Sequence, residues 1–315
     1  MLTARRLMGA LAAMLAACTT VGAPMDAGTD AVAVDAHVVD ASSLVDAWVP
    51  PGCPTTGWPT GWRPTFCQEF DVPNGSSPDP AIWTPDVTGN GWGNQELQYY
   101  TSASANIFIE NGDLVLRAMR DASGAHTCWY GPCQYTSAQL ESIHHFSQAY
   151  GRFEARMKIP AGVGLWPAFW MLGANSDTVH WPACGEIDVM ESVGMNPGTV
   201  YGTLHMDATN SATTNVQDGQ HYVLPGGAAL SDAYHVYAVE WAPGVVRFYL
   251  DDTLYFTAQP TDAMITSQSG HWVFDHPFYL LLDLAVGGNW PGSPTAATVF
   301  PADLHVDYVR VYEAM

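Results

Sequence analysis

Positive charge is the scarcest property of this sequence. A single lysine, Lys158, and nine arginines stand against 31 acidic residues in 315, for a formal net charge of -21. No basic stripe could follow a phosphate backbone, which excludes nucleic acid as a partner. An acidic surface commonly serves solubility, with binding of a basic partner as the competing reading, and a neutral substrate fits the chain better. Long apolar runs are also missing: Leu7–Ala17 is too short to cross a bilayer as a helix. No long stretch sustains a helical period, and no internal repeat of fixed length is visible, so neither a helical bundle nor a solenoid is expected.

Cysteines are few, at six. Cys53 with Cys67 and Cys128 with Cys133 would each close a short loop rich in turn residues and aromatics, and with Cys18 assigned to an N-terminal anchor this leaves Cys184 as a free thiol. A nucleophilic role for Cys184 needs a nearby base that the sequence does not show; a buried structural cysteine is the plainer reading.

Arg5 and Arg6 precede the run Leu7–Ala17, and Leu15, Ala16, Ala17, Cys18 follow the pattern of a bacterial lipobox. Residues 1–18 thus read as a lipoprotein-type signal peptide with Cys18 as the lipidated residue; a plain secretory signal cut after one of the alanines is the alternative. Its removal leaves 8 basic residues against 31 acidic ones, a formal charge of -23. Residues 19–52, dominated by Ala, Asp and Val, cannot bury enough surface to offset ordering entropy and read as a disordered linker. The chain is then expected at the bacterial cell envelope or outside the cell, touching a membrane only through its N-terminal lipid.

Residues 53–315 read as one domain in which the dominant period is two. In GRFEARMKIP, Phe153, Ala155, Met157 and Ile159 alternate with Arg152, Glu154, Arg156 and Lys158, the pattern of a strand with one face in a core. Asn111-Gly112 between two such runs predicts a type I′ hairpin, and VVRFYLDDTLYF repeats the pattern around Asp251 and Asp252. Many short strands, Gly and Pro turns and 12 tryptophans predict an all-β sandwich.

The chemistry concentrates in GEIDVMES, where Glu186, Asp188 and Glu191 are interleaved with apolar residues. On a regular strand Glu186 and Asp188 share a face, but Glu191 points the other way. A β-bulge at Val189 or Met190 would return Glu191 to the acidic face, with its Cα roughly 13 Å from that of Glu186. Leaning side chains can close much of that distance toward the 5 to 5.5 Å used by retaining glycosidases. Glu186 would then attack the anomeric carbon, and Glu191 would serve as general acid and then base. Asp188 would hydrogen-bond to the nucleophile while its charge disfavours ionisation of its neighbours. The competing readings are a solvated acidic edge strand, which leaves Ile187, Val189 and Met190 unexplained, and a calcium site, for which a rigid strand is a poor cage.

With these residues in view the sequence resembles glycoside hydrolase family 16, and within it the bacterial laminarinase-like endo-1,3-β-glucanases. Besides GEIDVMES, the stretches EFDVPNGSSPDPAIWTPDVTGNGWGNQELQYYT, YGRFEARMKIP, GLWPAFWMLG, YGTLHMD, YHVYAVEWAPGVVRFYLDD, PFYLLLDLAVGGNWPG and HVDYVRVYE occur in the family's order, from about Phe66 to Glu313. The resemblance implies a β-jelly-roll sandwich of two curved antiparallel sheets with an open concave cleft, and endo-hydrolysis of β-1,3-glucan, with mixed β-1,3/1,4-glucan as a further substrate. It implies that Trp166, Trp170 and Trp181 line the cleft near the scissile bond, that Asn94 and Trp290 contact neighbouring sugars, and that His205 supports the acids. An indole offers a flat apolar face to a sugar ring and an N–H to its hydroxyls, though most tryptophans are core residues and a histidine in a strand is often a hydrogen-bonded core group. No catalytic cofactor is implied. One structural Ca2+ is, held by Glu69, the Gly112 main-chain oxygen and Asp307, hard oxygen donors suited to that ion. A monomer is expected.

Three positions depart from the family. Gln139 stands where an arginine commonly follows YTSA, His144-His145-Phe146 replaces a usual Gly-Lys pair, and Asp251-Asp252 replaces an Asp-Gly turn. The first two are expected at a cleft rim and the third only in a hairpin. Two alternative functions remain: a galactan hydrolase acting on agarose or carrageenan, and a non-catalytic β-glucan-binding protein on the same fold. Few basic residues argue against the first, and both glutamates in place argue against the second.

Overall fold

The computed structural model describes residues 49–315. Cys18, the signal peptide and all but the last residues of the linker lie outside that range. Within it the period-two segments form strands, accompanied by one short helix, Ala263–Ser267, and one 3-10 turn, Pro225–Gly227.

Two sheets stack face to face. The ten-stranded sheet runs in the order Thr253–Ala258, Val245–Leu250, His235–Ala242, Gly151–Lys158, Ala302–Ala314, Asp113–Arg120, Tyr135–Ser137, Gln98–Tyr100. Trp62–Gln68 pairs with Ala302–Ala314, and Ile107–Glu110 with Asp113–Arg120. The seven-stranded sheet runs Ser211–Val223, Thr199–Ala208, Glu186–Glu191, Leu165–Gly173, Phe278–Val286, Gln139–Glu141, Thr84–Pro85. Of the pairings between these strands, only Gln98–Tyr100 with Tyr135–Ser137 is parallel. This is the all-β jelly-roll sandwich that the sequence predicts.

The core lies between the sheets and is closed by apolar side chains from both. Phe153, Ala155 and Met157 of one sheet meet Phe169, Met171, Ile187 and Leu282 of the other, all fully buried. Burial at about 25 cal/mol per Å² of apolar surface makes this layer the main source of stability. The strand Gly151–Lys158 departs from a simple in-and-out pattern, because Arg152 and Glu154 are also buried. It sits mid-sheet, where Arg152 Nε donates to Glu154 Oε2 at 2.8 Å and Nη1 to Glu240 Oε1 at 3.2 Å, so each charge loses water but gains a partner.

Local turn chemistry follows the sequence. Asn111 and Gly112 take φ of 55° and 87° between paired strands, as a type I′ turn requires. Cys53–Cys67 and Cys128–Cys133 form disulfides, and Cys184 is free and buried. Burial lifts the Cys184 thiol to about 11, which removes it from nucleophilic chemistry at neutral pH.

Candidate active site

The face of the seven-stranded sheet turned away from the core forms the floor of a cleft of about 890 Å³. Its centre is the acidic strand. Opposite Leu165–Gly173 the register steps from Phe169↔Met190 to Trp170↔Asp188, and opposite Thr199–Ala208 from Asp188↔Thr203 to Glu191↔Tyr201. Val189 is the extra residue, and Val189 and Met190 are both fully buried. The bulge therefore lies where the spacing of the acids requires it. Two consecutive side chains enter the core, and Glu186, Asp188 and Glu191 all emerge on the cleft floor. Gly185 leads into this strand with φ of 77°, and a Cβ there would meet Phe278 and Val273 at 2.8 Å, so only glycine admits the chain at that angle.

Each acid has a distinct surrounding. Glu191 Oε1 accepts from Trp166 Nε1 at 3.0 Å, which ties one carboxyl oxygen and leaves the other toward the cleft. His205, whose backbone pairs with Glu186 across the strands, places Nε2 3.3 Å from Asp188 Oδ2 and 3.8 Å from Glu186 Oε1. Its Nδ1 lies 3.1 Å from Asn215 Oδ1, an acceptor, so Nδ1 carries a proton. The contact to Asp188 Oδ2 is close but poorly aligned, and that buried oxygen has no aligned hydrogen-bond partner.

Burial raises the pKa of all three carboxyls. For Glu191 burial and then the charge of Asp188 push it up to about 8, with His205 and the Trp166 hydrogen bond opposing. For Asp188 burial and then Glu186 raise it. For Glu186 the rise from burial is offset by the charge of His205 and by hydrogen bonds from Asp188 and Trp181. Burial pulls His205 down, but its close contact with Asp188 and the charges of Glu186, Asp188 and Glu191 outweigh that and lift it to about 10. At neutral pH the set favours a cationic His205 and a proton held at Glu191, and the His205 charge beside Glu186 favours the ionised form of that acid.

All the aromatic and polar residues expected in the cleft line it: Asn94, Trp166, Trp170, Trp181 and Trp290. Trp166 and Trp170 share one face of Leu165–Gly173, as their spacing of four predicts. Trp290 stands edge-on to Trp166 at 5.3 Å and to Tyr201 at 4.9 Å. No lysine or arginine is among the lining residues. Across the strands Gln139, Asp283, Ala168, Glu191, Tyr201 and His221 are successive register partners, so one row of side chains crosses the floor.

That row contains a group the sequence reading did not single out. Asp283 is buried on the floor, where Oδ1 accepts from Trp170 Nε1 at 2.7 Å. The Tyr100 hydroxyl lies 3.2 Å from Asp283 Oδ2 and 3.4 Å from Glu96 Oε2. One hydroxyl proton cannot serve two ionised carboxylates, so the contact is complete when one acid is protonated. Burial, then the charge of Glu96, holds Asp283 well above the usual carboxylate range. The available signal was a lone acid in the apolar run FYLLLDLAV. Gln139 lies opposite Asp283 on the floor, not at a rim, with its Nε2 buried and without a partner. His144, His145 and Phe146 line a separate hollow of about 400 Å³ beside Tyr279. Asp251 does more than turn a hairpin, since it accepts from Val236 N at 2.9 Å.

Two sets of residues bear on metal binding. Glu186, Asp188 and His205 have ligand atoms within 4.8 Å of one another, but these are the groups that hold the protons described above. The expected calcium donors lie elsewhere: Gly112 is in the hairpin turn, Glu69 accepts a two-pronged bond from Arg310 at 2.8 and 2.7 Å, and Asp307 accepts from Arg156 at 2.5 Å. As placed, both carboxylates are engaged by guanidinium groups and do not form an open oxygen cage.

The sequence profile of the Glycosyl hydrolases family 16 matches residues 92–310. A β-glucanase from Rhodothermus marinus is 42% identical over 257 residues, which span 80% of this chain and 85% of that protein. A glucan endo-1,3-β-glucosidase A1 from Niallia circulans is 35% identical over 288 residues; the match covers 82% of this chain and 42% of that protein. Among solved structures, the laminarinase catalytic domain from Thermotoga maritima MSB8 superposes with a TM-score of 0.72 at 41% identity, covering 81% of this chain and 99% of that one.

Proposed function

We infer, from the premise that this chain belongs to glycosyl hydrolase family 16, that it hydrolyses internal linkages of β-1,3-glucan, and of mixed β-1,3/1,4-glucan, with retention of anomeric configuration. The observation that carries the residue assignment is the bulge at Val189, which sets Glu186 and Glu191 on one face of the cleft with different proton affinities.

In the first step a carboxylate oxygen of Glu186 forms a bond to the anomeric carbon while the glycosidic C–O bond breaks, and the leaving oxygen takes the proton of Glu191. In the second, Glu191 removes a proton from water, the water oxygen bonds to the anomeric carbon, and Glu186 leaves as carboxylate. Trp166 fixes the rotamer of Glu191 through Oε1. Asp188 and His205 keep Glu186 ionised before attack and share the proton balance as its charge is lost. The tryptophans stack on sugar faces, and Asn94 supplies a hydrogen-bonding group at a neighbouring sugar.

A cleft floor with no lysine or arginine favours neutral glucan over a sulfated galactan, which would need cations to offset its charge. Replacing Glu186 with Gln tests the assignment. Release of reducing sugar from laminarin should stop while binding persists, and full activity would overturn it. NMR of the first product anomer should show retention.

The lipid anchor at Cys18, the signal peptide and the linker over 19–52 complete the proposal, as a monomer held at the bacterial envelope. Globomycin-sensitive processing of the precursor would support the anchor. The calcium implied by the family would have to compete with Arg310 for Glu69 and with Arg156 for Asp307.

A further inference from the structure

Three tryptophans are more than a third exposed among the described residues: Trp129, Trp181 and Trp290. Two of them line the cleft, and Trp129 does not. It stands at the tip of a hairpin closed by Cys128–Cys133, 49% exposed, with Tyr130 edge-on at 5.3 Å. An exposed indole at a loop tip is ordinarily mobile, but this one is fixed. Its backbone N donates to Gly89 O at 2.8 Å and its Nε1 to Glu96 O at 2.7 Å. Gly91 approaches the pyrrole edge so closely that a Cβ would stand 2.7 Å from Nε1. Tyr130 OH donates to Leu97 O at 2.6 Å and holds the other side of the hairpin to the same segment.

That segment is the wall of the cleft. Trp92, Gly93, Asn94 and Glu96 line the cavity directly. The row of side chains across the floor ends at Gln139, three strands from Glu191 or roughly 14 Å at the usual strand spacing. The path continues beyond it: Asp86 N donates to Gln139 O at 3.0 Å, and Trp92 Nε1 donates to Asp86 Oδ2 at 3.0 Å. Trp129 packs behind the turn that carries Trp92. Trp92 reaches the Gln139 end of the floor through Asp86, so Trp129 adjoins the outer side of the wall at that end, with about half of its surface open to solvent.

We propose that Trp129 is a distal glucan-binding platform, on which a glucosyl ring of the bound chain stacks after that chain has left the Gln139 end of the cleft. The inference rests on the β-glucan reading above. The occupant is the substrate chain itself, because the platform continues the cleft wall, carries no charge of its own, and offers a rigid indole at small entropic cost. A short oligosaccharide occupying only the central cleft does not reach it.

The test compares wild type, Trp129→Ala and Trp129→Phe on laminaritriose, laminaripentaose, laminarin and insoluble curdlan. For Trp129→Ala the expected result is a rise of about fivefold to tenfold in KM on laminarin and in Kd for curdlan, the loss of one stacking contact. Its kcat on laminarin and its kcat/KM on laminaritriose should stay at wild-type values, and Trp129→Phe should restore most of the long-chain affinity. Equal KM on laminarin for Trp129→Ala and wild type would overturn the platform. So would a matching loss on laminaritriose, which would show that Trp129 only braces the cleft wall. Failure of the wild type on every glucan would refute the β-glucan reading instead.

Discussion

The hydrogen bond from Trp166 to Glu191 makes a quantitative demand on the pH profile. Trp166→Phe keeps most of the aromatic surface and removes the Nε1–H that reaches Glu191 Oε1 at 3.0 Å. Hydrogen bonds to charged groups contribute about 1.5–3 kcal/mol, and each pKa unit corresponds to about 1.4 kcal/mol. The expected shift is therefore about one to two units. The sign follows from the acceptor: the bond favours the ionised carboxylate, so its loss raises a pKa that already stands near 8. Glu191 must be protonated to deliver its proton to the leaving oxygen. The alkaline limb of kcat/KM on laminarin should therefore move up by about one to two units, while the acid limb, set by ionisation of Glu186, stays in place. Weaker sugar stacking lowers the whole curve without moving the limb. An alkaline limb that stays put, or moves down, would refute the assignment of Glu191 as the acid.

His205→Gln removes the positive charge that holds Glu186 toward ionisation, so the acid limb of the same profile should move up by about one unit. Gln139→Arg would place a cation opposite Asp283 and near Glu96, whose pKa values burial raises. Above pH 7 an ion pair gaining about 1 kcal/mol should lift Tm by about 2–4 °C. At pH 4, where these acids are protonated, the gain should vanish, and calorimetry at both pH values checks this. Calcium at millimolar concentration should raise Tm by no more than a few degrees over EDTA, since Arg310 and Arg156 already neutralise the two candidate carboxylates. A shift beyond about 10 °C would mean that the arginines yield the site.

The bulge was legible because the sequence breaks its own alternation: Val189 and Met190 are two apolar residues in succession between acids that must share a face. The sandwich was legible from the same period-two logic, and the disulfides from short loop lengths. Asp283 was hidden for the opposite reason. Every residue of Phe278–Val286 is buried, five of them in the core between the sheets and four on the other face, so the strand shows no alternation to mark which face carries function. Arg152 and Glu154 misled in a similar way, since a mid-sheet strand with both faces covered can still read as amphipathic when its charges pair with one another. The fate of His144 and His145 depends on a loop whose path no periodicity encodes.

The row from Gln139 through Asp283, Ala168, Glu191 and Tyr201 to His221 takes one residue from each of six neighbouring strands. Strand spacing is fixed by main-chain hydrogen bonds at about 4.8 Å, a length close to that of one pyranose unit. A glucan chain lying along this row would meet about one strand per sugar, as along a ruler. Changing which monomer is read then needs one side chain, whereas changing how many are read needs another strand or a new wall.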